Sequence, residues 1–205
     1  MRILTVGLTS GSTRKNLGMN WLTLGLAVFV AVHLLSSVVP SACTSLKGAI
    51  GENAFRGAYS LLVLGGIVMI VIGWRSSVPV VVYAPPVWGT SVAFFLMLVS
   101  VFLFGASHAK TNIKRYVRHP QLTSVLVWSI AHLLSNGDIR SLTLFGTLGL
   151  WALIEIPLIN RREGAWEKPE RASMRSEVIG ATISVVVYLV LIALHPYYAG
   201  VSPLQ

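Results

Sequence analysis

The chain has 205 residues, of which 54% are hydrophobic and only 11% charged, and its mean hydropathy is +0.72. Soluble domains carry roughly 25% charged residues, so this composition excludes an ordinary water-soluble enzyme or a disordered chain and points to a multi-pass membrane protein. The net charge of +9 does not indicate nucleic acid as a partner, because the basic residues lie in short stretches between apolar runs rather than on one soluble face.

Residues 1–18 contain Arg2, Arg14 and Lys15 ahead of the first apolar run, and the context MNWLTLGL makes Met19 a natural start. Residues 1–18 are therefore expected to be a disordered or wrongly assigned extension, and 19–205 a single transmembrane domain. Apolar runs near the ~20 residues a crossing helix needs follow at 21–39, 58–74, 87–106, 142–159 and 178–194, with a shorter one at 122–134. Lipid satisfies no backbone polar group, and no run shows the two-residue alternation of a barrel strand, so each is a helix. The expected fold is all-α: an integral membrane helical bundle of about six transmembrane helices, or five if 122–134 only dips into the bilayer.

Between the runs the punctuation is clear. RSSVPVVVYAPPVWG (75–89) breaks at Pro79 and at Pro85-Pro86, near an interface marked by Tyr83 and Trp88. SNGD (135–138) is a tight turn joining two helices, with Asp138 placed to cap the second. RREGAWEKPERASMRSE (161–177) mixes both signs of charge and is expected to be a solvated loop or surface helix. Eleven Lys and Arg follow spans one, three and five (Lys47, Arg56; Lys110, Lys114, Arg115, Arg118; Arg161, Arg162, Lys168, Arg171, Arg175) against five elsewhere. That bias puts the N-terminus outside and the long loops in the cytoplasm.

Ionisable groups within hydrocarbon are costly and call for partners, which singles out two of the five histidines: His33 in the first run and His132 in the short one. At a rise of ~1.5 Å per residue, His33 lies roughly 10 Å inward from Pro40 and His132 roughly 16 Å inward from Gln121, so both are expected in the middle of the bilayer. Two neutral imidazoles without a thiolate or carboxylate cluster suit the axial positions of a haem better than a closed zinc site, which needs four ligands. The alternative is a histidine that only hydrogen-bonds a neighbouring helix. Gly25, Ala27, Ala31, Gly65, Gly66, Gly146 and Gly149 would let helices approach a flat macrocycle closely. Trp128 and Ser129, four and three residues before His132, share its helix face. The sole cysteine, Cys43, has no partner for a disulfide or a Cys-rich metal site.

HLLSS in the first run, AFRGAYSLLVLGG (54–66) and RHPQLTSVLVWSIAHLLSNGD (118–138) resemble the NnrU family of bacterial membrane proteins, over about residues 20–162. The resemblance implies a bacterial inner-membrane location and an association with denitrification and nitric-oxide metabolism. The family is in turn similar to zeta-carotene isomerase, in which haem b isomerises a cis double bond. The haem ligands of that relative match His33 and His132, so the resemblance implies haem b here, with both residues as metal ligands. The isomerase has a proposed exchangeable Cys ligand three residues before the second histidine, where this chain has Ser129, a poor ligand for such exchange.

In the RHP motif, Pro120 opens the short helix, with Arg118 and His119 at the cytoplasmic interface. They either anchor headgroups and loops or form a cofactor-binding floor in which Arg118 pairs a haem propionate or another anion. Arg-His-Pro before a helix, with the loop at 161–177, is also similar to the isoprenylcysteine methyltransferase family, implying an S-adenosylmethionine-dependent methyltransferase as an alternative. A cofactor-free assembly factor is a third class. The sequence leaves open whether the chain is an enzyme; an enzymatic role would be a haem-dependent, isomerase-like one. Expected partners are membrane lipid and a hydrophobic small molecule or nitric oxide.

Overall fold

The computed structural model describes residues 6–203, and side chains from Leu17 onward; of the expected extension at 1–18, residues 1–5 lie outside the described residues and 6–18 are helical. Seven α-helices are present among them: α1 (Val6–Val38), α2 (Pro40–Ile50), α3 (Glu52–Ser76), α4 (Gly89–His108), α5 (Pro120–Ser135), α6 (Ile139–Glu163) and α7 (Met174–Ala199). Five of them, α1 through its Leu17–Val38 segment, α3, α4, α6 and α7, are long and apolar enough to cross a membrane. Large apolar side chains lie exposed along them, Leu61 at 71% and Leu189 at 58%. Water would penalise such continuous apolar faces, whereas acyl chains accept them. The protein is an all-α, multi-pass membrane protein.

The chain forms two compact units: Met1–Ala84 with Asn136–Trp151, and Pro85–Ser135 with Ala152–Gln205. Helix α6 begins in the first and ends in the second.

In the first unit, α1 and α3 run antiparallel with their backbones nearly touching. A Cβ on Gly25 would lie 2.7 Å from the Gly66 carbonyl oxygen, and one on Gly73 would run into the Leu22 backbone. The glycines recur seven residues apart on each helix (18 and 25, 66 and 73), which keeps them on the shared face. This corrects one expectation from the sequence: Gly25 and Gly66 serve helix-to-helix contact, while Gly65 faces open space with nothing within 4 Å. Helix α2 is an element the apolar runs do not announce. Pro40 opens it, and Gly51, at φ 85°, turns the chain into α3.

The segment after α3 is tied to the SNGD turn. Val82 N donates to Gly137 O (2.7 Å), Ile139 N to Val80 O (2.8 Å) and the Tyr83 hydroxyl to Asn136 O (2.9 Å). Burial, and secondarily the Asp138 carboxylate, push the Tyr83 phenol up, so it stays protonated as a donor. Asp138 caps α6 as the sequence predicts. Its Oδ1 accepts from Arg140 N and Ser141 N, both at 3.1 Å, and its Oδ2 from Ser141 Oγ at 2.6 Å. Arg140 pairs with Asp138 at 3.4 Å and lies over the Trp74 ring at 4.4 Å. Asp138→Ala is expected to cost about 1–2 kcal/mol, the range for losing a side-chain cap, seen as a lower midpoint in denaturant-induced unfolding of detergent-solubilised protein.

In the second unit, α5 runs antiparallel to α4. A Cβ on Gly89 at the start of α4 would meet Leu134 O at the end of α5, and Ser100 Oγ donates to Ser124 O (3.0 Å) midway. The start of α5 is tied to the end of α6, since His119 Nε2 bonds Asn160 Oδ1 (2.9 Å) and Arg118 Nη1 donates to Gly164 O (2.8 Å). Helix α5 therefore carries the chain back to the end where α4 began. Its 16 residues rise only about 24 Å, short of the ~30 Å hydrocarbon thickness, so five helices, not six, are long enough to cross.

Candidate functional site

His33 is half-buried in an aromatic cluster of the first unit. The Phe29 ring lies 4.2 Å away at 31°, Trp151 at 5.1 Å and Tyr59 at 5.9 Å, both edge-on. Phe29 is one helical turn earlier and could be read from periodicity. Tyr59 and Trp151 come from α3 and α6, and nothing local in the sequence signals them. His33 Nδ1 donates to Phe29 O at 2.7 Å. A carbonyl oxygen can only accept, so the proton belongs on Nδ1, which makes Nε2 the basic nitrogen. Beside this ring, Trp151 is 8% exposed and its Nε1 is a buried donor with no hydrogen-bond acceptor.

His132 sits one turn before the end of α5, in the second unit. Its Nδ1 donates to Trp128 O at 2.9 Å, and the two rings lie 5.0 Å apart at 54°. The tautomer is the same as at His33, for the same reason. Ser129 is 1% exposed, and its Oγ makes no hydrogen bond, so the hydroxyl does not tie back to the preceding turn as small hydroxyl residues in helices often do. Glu155, the carboxylate within an apolar run, is 4% exposed in α6.

Each histidine thus stands near a buried polar atom that the protein leaves unsatisfied, at a cost of about 1–3 kcal/mol apiece. Each imidazole carries its proton on Nδ1 and is oriented by a carbonyl of its own helix, the way metal-ligating histidines almost always commit their other ring nitrogen. No group of three or more His, Cys, Asp or Glu comes together among the described residues.

Arg118 and His119, the other predicted site residues, hold α5 to α6 through the bonds described above, and Arg118 also pairs with Glu163 at 3.5 Å. His119 Nε2 and both terminal nitrogens of Arg118 are thus engaged within the protein. His108 lies against Phe104 (5.2 Å), and His195 Nδ1 donates to Val201 O (2.7 Å).

No curated protein and no solved structure matches the chain. A family model described as "NnrU protein" matches residues 21–203, so the likeness legible in three motifs extends through the last helix, and the chain belongs to the NnrU family.

Proposed function

We propose that this NnrU-family protein is a haem b protein of the bacterial inner membrane, with His33 and His132 as iron ligands and a redox or nitric-oxide-linked role. The observation that supports this most is the shared tautomer: each membrane imidazole spends Nδ1–H on its own helix, leaving Nε2 as the basic nitrogen. Haem b, when bound, supplies a one-electron couple and an iron that takes up small ligands such as nitric oxide. The chain's own residues orient the imidazoles through the Phe29 and Trp128 carbonyls and keep water away with Phe29, Tyr59 and Trp151. Ser129 offers a hydroxyl where ligand exchange would need a thiolate, so electron transfer or sensing suits the site better than isomerisation.

Protein produced with a haem precursor and purified in mild detergent is expected to give one haem b per chain by pyridine haemochrome assay. Wild-type protein that retains none after haem loading would sink the proposal. No observation favours a methyltransferase: the binding pocket in the loop those enzymes resemble is lined by cations, an unfavourable setting for the sulfonium of S-adenosylmethionine.

A further inference from the structure

We propose that the two cytoplasmic loops of the second unit form a binding site for a phosphate-bearing anion, separate from the histidines. A cleft of about 320 Å³ is lined by Asn112, Arg115, Tyr116, Lys168 and Arg171. That volume falls within the ~300–1,000 Å³ typical of small-ligand sites. Three cations and no carboxylate face it, although the loop at 161–177 is nearly charge-balanced in sequence. The fold sorts the signs. Glu163 turns to Arg118 and Arg162, while Glu167 and Glu170 lie outside the lining and pair with none of the three cations among the described residues.

The cleft is built into the fold. Asn112 is clamped to Ala172 in both directions, Nδ2 to Ala172 O (3.4 Å) and Ala172 N to Oδ1 (3.1 Å). Arg115 Nη1 donates to Pro169 O. Behind them Glu177, in the first turn of α7, accepts from Asn112 N (2.5 Å) and Thr111 Oγ1 (3.0 Å). These bonds hold like charges together against their mutual repulsion, an arrangement that an anion relieves. Arginine's planar fork of donors matches phosphate oxygens, and a lysine adds a mobile point charge. Because Glu177 braces the cleft at the start of a membrane-crossing helix, the site lies at headgroup level. Both a phospholipid headgroup and a soluble phosphorylated molecule present the required chemistry there.

The test uses the full chain in neutral detergent for calorimetry with inorganic pyrophosphate, and in nanodiscs for competition between phosphatidylglycerol and phosphatidylcholine. Saturable pyrophosphate binding identifies a soluble ligand, and selective retention of phosphatidylglycerol a lipid one; either supports the site. The triple variant Arg115→Gln/Lys168→Gln/Arg171→Gln is expected to weaken binding at least tenfold. Arg75→Gln/Arg161→Gln/Arg175→Gln, which removes the same charge elsewhere, should change it less than twofold. Should the first triple fail to fold, Arg171→Gln alone, whose side chain makes no hydrogen bond or ion pair among the described residues, should still weaken binding at least threefold. Binding of neither probe overturns the proposal, as does an equal loss in both triples, which would reveal only diffuse electrostatic attraction.

Discussion

Gly73→Leu is expected to destabilise the protein by about 3 kcal/mol or more, at the upper end of the cost of overpacking. The reason is backbone contact. A Cβ at residue 73 meets the Leu22 backbone, which cannot rotate away as a side chain would, so α1 and α3 must separate. In lipid, helix association rests on such close van der Waals packing rather than on water exclusion, so separation forfeits most of what holds the pair. Gly25→Leu, opposite the Gly66 carbonyl, should behave similarly. Gly65→Leu is the matched control, with nothing within 4 Å of its Cβ, and should be neutral or stabilising by up to about 1 kcal/mol through helix propensity. Denaturant titration of the three variants in one detergent checks this; equal destabilisation of Gly65→Leu and Gly73→Leu would refute the glycine-packed pair.

Removing either imidazole is expected to have the second large effect. His33→Ala and His132→Ala should each lower haem affinity by more than ~100-fold, since changing even the groups that orient a metal ligand typically costs 10–100-fold. Trp151→Phe keeps an aromatic, though smaller, ring beside His33 and deletes the unpaired Nε1–H. If a bound cofactor uses that donor, the variant should lose affinity about tenfold, while in the cofactor-free protein the relief of a buried unsatisfied group is offset by the packing lost with the smaller ring and stability changes little. Haem titration together with unfolding of the cofactor-free form separates the two effects. Haem affinity unchanged in both alanine variants would remove the histidines from the proposal.

The crossing helices are legible in sequence because lipid imposes one rule, continuous apolar length, that any short window can detect. The rule weakens at the ends. Helix α3 begins at Glu52, six residues before its apolar run, since the Glu52–Arg56 pair at 2.7 Å lets a polar turn continue the helix into the interface. Helix α5 is ambiguous by composition, and what its two ends touch, Gly89 at one and Asn160 and Gly164 at the other, is set by distant segments that its own residues do not signal. The Asp138 cap is local and therefore readable from four residues. The surroundings of His33 divide the same way, with Phe29 lying one turn away and Trp151 118 residues further along the chain. The loop at 161–177 misleads because charge balance along a sequence says nothing about which side chains a fold turns toward one cleft.

Low-temperature electron paramagnetic resonance of the ferric, haem-loaded protein reads the ligands of the iron. The wild type is expected to give a low-spin, bis-imidazole spectrum, with conversion to high-spin iron, or loss of haem, in both His33→Ala and His132→Ala. A high-spin wild-type spectrum, or a low-spin signal that survives in either variant, would contradict ligation by the two histidines.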